Sequence, residues 1–327
     1  MKKSSMRVAA AALVPCFSAV AAVLAAAPAA TANATGFYAN PDSQVNQWVN
    51  ANPNDGRAAA IRSKIADVPR STWFASYDAN ASSVTASVKK VTDGAANAGK
   101  TASVVAYMVP NRDCGDFSAG GAPTYAAYDQ WIRAFANGLG SREVVVLLEP
   151  DAIVKARGSE CQGANLNVTE RLTALKNAGA AIKATAPNAK VYYDAGHSGW
   201  KSTAADLISA GVVQYGAGIV SNVSNFRTTE DEVGFGTTLL NELGNSSLGL
   251  IVDTGRNGNG PTADAQWCNP AGRALGKLPT TDTGDPRVHA FLWVKQPGES
   301  DGYCGWNGAQ AGQFVPDLAN ELAQNTR

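Results

Sequence analysis

Val144-Val145-Val146-Leu147-Leu148-Glu149-Pro150-Asp151 decides the fold. Five apolar residues without polar alternation read as a strand buried on both faces, and the run ends on a carboxylate. The pattern recurs along the chain. Val104–Val109 leads through Pro110, Asn111 and Arg112 to Asp113; Val191–Tyr193 runs into Asp194; Ala290–Val294 leads through Lys-Gln-Pro-Gly-Glu-Ser to Asp301. In parallel α/β folds the loops at the carboxyl ends of such strands converge on one rim, where ligands bind. Carboxylates gathered there repel one another and displace each other's pKa, the condition that acid–base chemistry uses. A fifth run, Leu248–Val252, ends in Asp253, which stands either as a further rim carboxylate or as a strand terminus.

Between these runs lie segments of helical period. Thr124–Leu139 puts Tyr125, Tyr128, Trp131, Ile132, Phe135 and Leu139 on one face; Thr169–Ala186, Glu230–Leu243 and Phe314–Ala323 read as helices too. Alternating strands and helices with right-handed crossovers give a parallel sheet covered by helices. The count, about seven or eight strands, predicts an α/β fold, a closed or nearly closed barrel in one domain. Loops rich in Gly, Asn and Pro (Gly115–Pro123, Gly255–Pro261, Pro297–Gly308) are placed to carry the site. Trp73, Trp200, Trp267, Trp293 and Trp306 sit in or beside such loops, and indole faces beside carboxylates suit sugars. Trp293, on its strand, is expected in the core.

The first 32 residues read as a secretory signal: Lys2, Lys3 and Arg7 precede an Ala/Val/Leu stretch, and Ala30-Thr31-Ala32 offers a small-x-small cleavage site. The catalytic domain is then expected over residues 33–327, secreted and extracellular. Of 27 basic and 27 acidic residues the signal removes three cations, leaving 24 against 27, a formal charge of −3. That balance argues against nucleic acid as a partner, and no membrane span is expected. Four cysteines remain: Cys114, Cys161, Cys268 and Cys304. An even count in an exported chain favours two disulfides over metal. Three pairings are open, and the sequential one closes the smallest loops. Zinc has little support, since there is no Cys-x-x-Cys and only His197 and His289 could assist.

Two other motifs carry less. Gly196-His197-Ser198-Gly199-Trp200 approaches a nucleophile elbow but lacks the last glycine of G-x-S-x-G. Gly255-Arg256-Asn257-Gly258-Asn259-Gly260 has neither Gly-Lys-Ser/Thr nor a following helix pattern, so it reads as a turn-rich rim loop rather than a phosphate loop.

Several stretches together carry a resemblance. They are Tyr107-x-x-Pro110-x-Arg112-Asp113-Cys114-Gly115 with Gly120-Gly121, Val146-Leu147-Leu148-Glu149-Pro150-Asp151, Tyr193-Asp194-Ala195-Gly196-His197-Ser198, Asp253-Thr254-x-Arg256-Asn257-Gly258, Trp267-Cys268-Asn269-Pro270 and Trp293-Val294-Lys295-Gln296-Pro297-Gly298-Glu299-Ser300-Asp301. In this order they resemble glycoside hydrolase family 6, the inverting cellulases, from about Tyr38 to the C-terminus. The resemblance implies a distorted β/α barrel with fewer than eight complete strands, no cofactor, no metal, and β-1,4-glucan as the partner of a monomer. By motif position Asp151 resembles the general acid, Asp113 the carboxylate beside it, Asp301 the candidate general base and Tyr107 the tyrosine beneath the distorted sugar. Lys295, Glu299, Trp73, Trp200 and Trp267 resemble substrate-contacting residues, and His197 and Asn225 are placed with them. Asp194 fits a structural or electrostatic member of the cluster. Arg112, next to Asp113, is the cation expected to keep that carboxylate charged.

One departure stands out. The family often has a serine six residues after the first aspartate, where it helps hold the attacking water; here the position is Ala119, with Ser118 before it. Only Gly302 and Tyr303 separate Asp301 from Cys304, so the last disulfide loop is short, and an open groove cutting chains internally is expected. No linker or further module follows, so weak action on crystalline cellulose is expected. The competing readings are a cellobiohydrolase or mixed-linkage glucanase of the same family, and a catalytically silent glucan-binding protein.

Overall fold

The structure, a computed structural model, describes residues 1, 36–75, 80–158, 161 and 166–326. Residues 1–31 and 32–327 form two units. The expected signal, residues 1–32, lies outside the described residues apart from Met1.

In the second unit, seven parallel strands form one sheet: β1 (Thr72–Phe74), β2 (Ala102–Ala106), β3 (Val144–Leu148), β4 (Lys190–Asp194), β7 (Gly218–Ser221), β8 (Gly249–Asp253) and β9 (Val288–Leu292), in that spatial order. A two-stranded antiparallel hairpin, β5 (Gly196–His197) with β6 (Trp200–Lys201), projects from the end of β4. Beyond its edges the sheet curls back on itself: the Ser71 N–H, just before β1, donates to the Trp293 carbonyl, just after β9, at 2.9 Å. The seven-strand distorted barrel expected from the sequence is the architecture found.

Two apolar layers fix the strand faces. Val104, Val146, Leu148, Val191, Tyr193, Leu250 and Val252 point outward into a layer closed by helices that include Ala81–Asn97, Tyr125–Leu139, Val168–Thr185 and Thr229–Leu243. Val105, Leu147, Tyr192, Val220, Ile251 and Leu292 fill the interior. Burial on both faces is why these strands read as unbroken apolar runs. A third cluster, with Val49, Ile61, Ile65 and Trp293, packs Gln44–Ala51 and neighbouring turns against the C-terminal helix Pro316–Asn325. Trp293 is 1% exposed and donates its indole N–H to the Lys277 carbonyl at 2.9 Å, a core residue as expected.

β2 ends at Ala106, three residues before the apolar run Val104–Val109 does. The cause is Glu149. Its carboxylate accepts the Met108 N–H at 2.9 Å and the Val109 N–H at 3.0 Å, so those donors leave the sheet. The disulfides are Cys114–Cys161 and Cys268–Cys304, with Cα atoms 5.1 and 6.1 Å apart. This is the sequential pairing.

Candidate active site

At the carboxyl ends of the strands the loops enclose a cleft of about 940 Å³. Each side chain that the sequence assigned to catalysis or substrate contact lines it: Tyr107, Asp113, Asp151 and Asp301, with Trp73, Asp194, His197, Trp200, Asn225, Trp267, Lys295 and Glu299. Asp253 is absent from the lining. It is buried below, accepting the backbone N–H groups of Ser224, Gly255, Val294 and Lys295 at 2.9–3.1 Å, so it is a strand terminus that ties β8 to β9.

Asp151 follows β3 through Glu149 and Pro150, and both Glu149 (φ 49°) and Asp151 (φ 66°) have left-handed backbones. Asn111, Asp113 and Cys114 share that conformation after β2. Non-glycine residues held this way cost about 1–3 kcal/mol each and persist where surrounding structure overdetermines them. Asp194, at the end of β4, supplies part of that hold. Its Oδ1 accepts the Asp151 N–H at 3.0 Å and the Gly196 N–H at 3.1 Å, while Oδ2 is buried without a hydrogen-bond partner. Burial, then the neighbouring Asp151 charge, raises the Asp194 pKa well above the carboxylate range, which keeps this carboxyl neutral.

Asp113 meets a different cation from the one expected. Arg112 turns away: its guanidinium donates to the carbonyls of Tyr107 (2.7 Å) and Ser118 (2.8 Å) and lies 4.5 Å over the Tyr107 ring. The partner is Lys155, whose Nζ sits 2.5 Å from Asp113 Oδ1, while the Ser118 N–H donates to Oδ2 at 2.8 Å. Ala119 is exposed, and the Ser118 backbone N–H is already taken by Asp113.

Opposite, Asp301 is buried. Its Oδ2 accepts Arg256 Nη1 at 2.8 Å and the Asn269 N–H at 3.1 Å, and Lys295 Nζ lies 3.7 Å from Oδ1. Arg256 is itself 2% exposed and stacks 4.4 Å over Phe226. Lys295 also donates to the Ser300 carbonyl at 3.0 Å. Glu299 accepts Gln44 Nε2 at 3.0 Å, and burial pushes it up to about 7 although Lys295 and Arg70 oppose the shift.

The aromatic floor is ordered by polar contacts. Trp73 donates its indole N–H to the Val294 carbonyl at 2.8 Å and meets Tyr107 edge-on at 5.2 Å. Burial, then the charges of Asp151 and Asp113, hold the Tyr107 hydroxyl protonated far above neutrality. His197 Nδ1 accepts the Gly199 N–H at 3.1 Å, and burial, with Arg227 nearby, lowers its pKa to about 4. The ring is therefore neutral near pH 7, with Nε2 carrying the proton. Ser198 sits in the turn of the β5–β6 hairpin, and its N–H donates to Glu232 at 2.8 Å. A strand-to-helix elbow is absent there, which removes the serine-nucleophile reading.

The short loops after β2 and β9 touch. Phe117, after β2, packs against Gly302, after β9, where any side chain would collide with its ring. Phe117 also lies 6.0 Å from Trp267 and 6.3 Å from Tyr303. All three rings are more than 40% exposed. The cleft lining includes Phe117 together with Trp73 and Lys90 and with His197 and Trp200.

Known proteins share this chain's pattern. Residues 32–326 match the sequence model of the Glycosyl hydrolases family 6. The chain belongs to that family. Endoglucanase 1 of Streptomyces sp. (strain KSM-9) is 47% identical to it over 285 residues, 86% of this chain and 76% of the relative. Endoglucanase A of Thermobispora bispora is 44% identical over 310 residues, 94% of this chain and 66% of the relative. The solved structure of the endoglucanase Cel6 from Mycobacterium tuberculosis, in complex with methyl-cellobiosyl-4-deoxy-4-thio-β-D-cellobioside, is 38% identical with a TM-score of 0.80. It covers 90% of this chain and 99% of its own.

Two cations that pair with the family 6 cleft carboxylates, Lys155 with Asp113 and Arg256 with Asp301, escaped the sequence reading. Arg256 stands in a loop read as turn-rich rim, and its signal was the Asp253-Thr254-x-Arg256-Asn257-Gly258 match itself. Lys155 had a weaker one: it lies four residues after Asp151, one helical turn on.

Proposed function

We propose that this chain is a secreted endo-β-1,4-glucanase that hydrolyses internal bonds of cellulose with inversion at the anomeric carbon, acting as a monomer after loss of residues 1–32. The observation that carries the reading is the placement of Asp151, Asp113 and Asp301 on one cleft whose walls also present Trp73, Trp200 and Trp267. Similarity to proteins named endoglucanases at 44–47% identity supports the substrate.

In this reading a glucan chain lies along the cleft with one sugar over Tyr107. Asp151 donates its proton to the glycosidic oxygen as the C–O bond breaks. A water on the opposite face attacks the anomeric carbon and loses a proton to a carboxylate in the same step, giving the α-anomer from a β-linkage. Such enzymes keep their two carboxyls about 6.5–9.5 Å apart to admit that water. Asp301 is the expected base, but its Oδ2 is already engaged by Arg256 and the Asn269 N–H, and Lys295 stands near Oδ1. Oδ1, with Lys295 Nζ 3.7 Å away, is the Asp301 oxygen left to take the water's proton, and with Ala119 in the serine position the water falls to backbone groups and Ser118. Asp113, paired with Lys155, stabilises the positive charge that develops on the sugar ring.

The endo assignment rests on loop length. Two residues separate Asp301 from Cys304, so the roof is limited to the contact of Phe117 with Gly302 and its neighbouring rings. The test is viscometry of a soluble cellulose derivative alongside reducing-end assays, with Asp151→Asn as control. Viscosity that collapses while few ends appear supports internal cutting. Slow viscosity loss with abundant cellobiose would instead make the chain a cellobiohydrolase, and absence of hydrolysis would leave a glucan-binding protein.

A further inference from the structure

The ammonium of Lys155 stands among the carboxylates of the proposed acid wall. It lies 2.5 Å from Asp113 Oδ1 and 3.8 Å from Asp116 Oδ2, and the side chains of Lys155 and Asp113 are each 10% exposed. Asp151 places it there. That residue caps the single helical turn Ala152–Lys155, and its carbonyl accepts the Lys155 N–H at 2.9 Å. Residues four apart on a helical turn share a face, so the lysine stem runs beside the acid toward the loop after β2.

The charges around it are defined. The loop after β2 presents Asp113 and Asp116, the lysine's own turn carries Asp151, and Asp194 faces Asp151 from β4. The other cations are occupied elsewhere. Arg112 bonds carbonyls over Tyr107, Arg171 of the helix Val168–Thr185 donates to the carbonyls of Pro110 and Ala152, and Arg157 pairs with Asp206 at 2.6 Å. Among the described residues, Lys155 is the cation whose ion pair is made with this carboxylate group.

We propose that Lys155 is a positioning residue that holds Asp113 aimed at the cleft, and that its charge sets the pH at which Asp151 loses its proton. The proposal rests on the acid assignment made for Asp151. The ion-pair geometry carries it, and two electrostatic arguments agree with it. Burial disfavours the ammonium, yet the hydrogen bond from Lys155 to Asp113 and the charges of Asp113, Asp151 and Asp116 outweigh that and raise its pKa, so the cation persists through the working range. The coupling is also reciprocal: if the Asp151 anion favours the Lys155 cation, then the cation favours ionised Asp151 to the same extent. An acid flanked by Asp113 alone would keep its proton to higher pH than one flanked by an Asp113–Lys155 pair.

The test is the pH profile of kcat/KM on a soluble cello-oligosaccharide for wild type, Lys155→Met and Lys155→Arg, with melting curves to confirm folding. Lys155→Met should move the basic limb upward by about one pH unit. It should also lower kcat about tenfold through loss of Asp113 alignment, with KM changed less than about twofold. Lys155→Arg should return the limb close to wild type. A basic limb unmoved in Lys155→Met would overturn the proposal, as would an equal shift in both variants, which would mark a packing effect. Should Lys155→Met fail to fold, Asp116→Asn serves instead, because removing this exposed anion strengthens the net positive field and should shift the limb downward; an unmoved limb overturns the proposal. Asp151→Asn is run in parallel: a basic limb that survives in it sinks the acid assignment and leaves the Lys155 question separate.

Discussion

Asp151 and Asp194 show how one rim carboxyl is positioned by another. With Asp151 as the proton donor, Asp151→Ala should cut turnover on cellulose by about 10²–10⁴-fold while glucan binding survives. Substrates with very good leaving groups need no protonation and should lose much less; equal losses on both substrates would remove the acid role. Asp194 is neutral by burial and acts through Oδ1, which holds the Asp151 and Gly196 N–H groups. An asparagine is nearly isosteric with a protonated aspartate and keeps that acceptor. Asp194→Asn should therefore stay within about tenfold of wild-type kcat, whereas Asp194→Ala, which frees the Asp151 backbone, should lose about a hundredfold. Steady-state kinetics on both variants check this. If the asparagine variant is as poor as the alanine one, Asp194 works as an ionised carboxylate and the neutral assignment is wrong.

At the scale of elements, the two disulfides and the loops they brace carry the carboxylates. Cys268–Cys304 links the loop bearing Trp267 to the one bearing Asp301 across 36 residues. Its removal should cost about 2–4 kcal/mol, readable in denaturant melts, and should weaken activity more than removal of a remote surface contact of equal worth. Phe117→Ala would part the contact with Gly302, and the viscosity lost per new reducing end should then rise; an unchanged ratio would mean that contact does not limit entry of chain interiors.

The same elements show where the sequence was readable. β3 lies where the run Val144–Leu148 placed it, because burial on both faces leaves an unbroken apolar signature. The helix Tyr125–Leu139, capped by the Thr124 side chain, follows its apolar face closely. β7 was not separately read. It has four residues beginning at Gly218, a position pressed against the Gly249 backbone that admits no side chain, so the strand lacks a long apolar run. The helix Ala81–Asn97 went unread although Val84, Val88, Val91 and Ala95 recur at its buried spacing, since Ser, Thr and Lys between them dilute the pattern. The cleft residues were legible as motifs, but their partners were not. Sequence adjacency pointed Arg112 at Asp113, whereas the left-handed turn at Asp113 and Cys114 directs that carboxylate to Lys155, far along the chain.

Across the whole molecule, the rim gathers buried carboxyls whose protonation couples to stability. Glu149 and Glu299 are each raised by burial from 4.5 to about 7. A group raised on folding contributes stability that is fully present below its unfolded pKa and lost as pH rises through the folded value. The melting temperature should therefore fall from about pH 4.5 to about pH 7, and Glu299→Gln should flatten part of that slope. A melting temperature that rises over this window would show both groups to be ionised in the fold. Reaction and fold meet in the central claim, a single displacement with Asp151 as the acid. The most direct test is NMR of the anomer first released from a soluble cello-oligosaccharide by wild type and by Asp151→Asn. Inverting hydrolysis through Asp151 predicts α-anomer from wild type and almost no product from the variant. β-Anomer from wild type would establish a double displacement and contradict it.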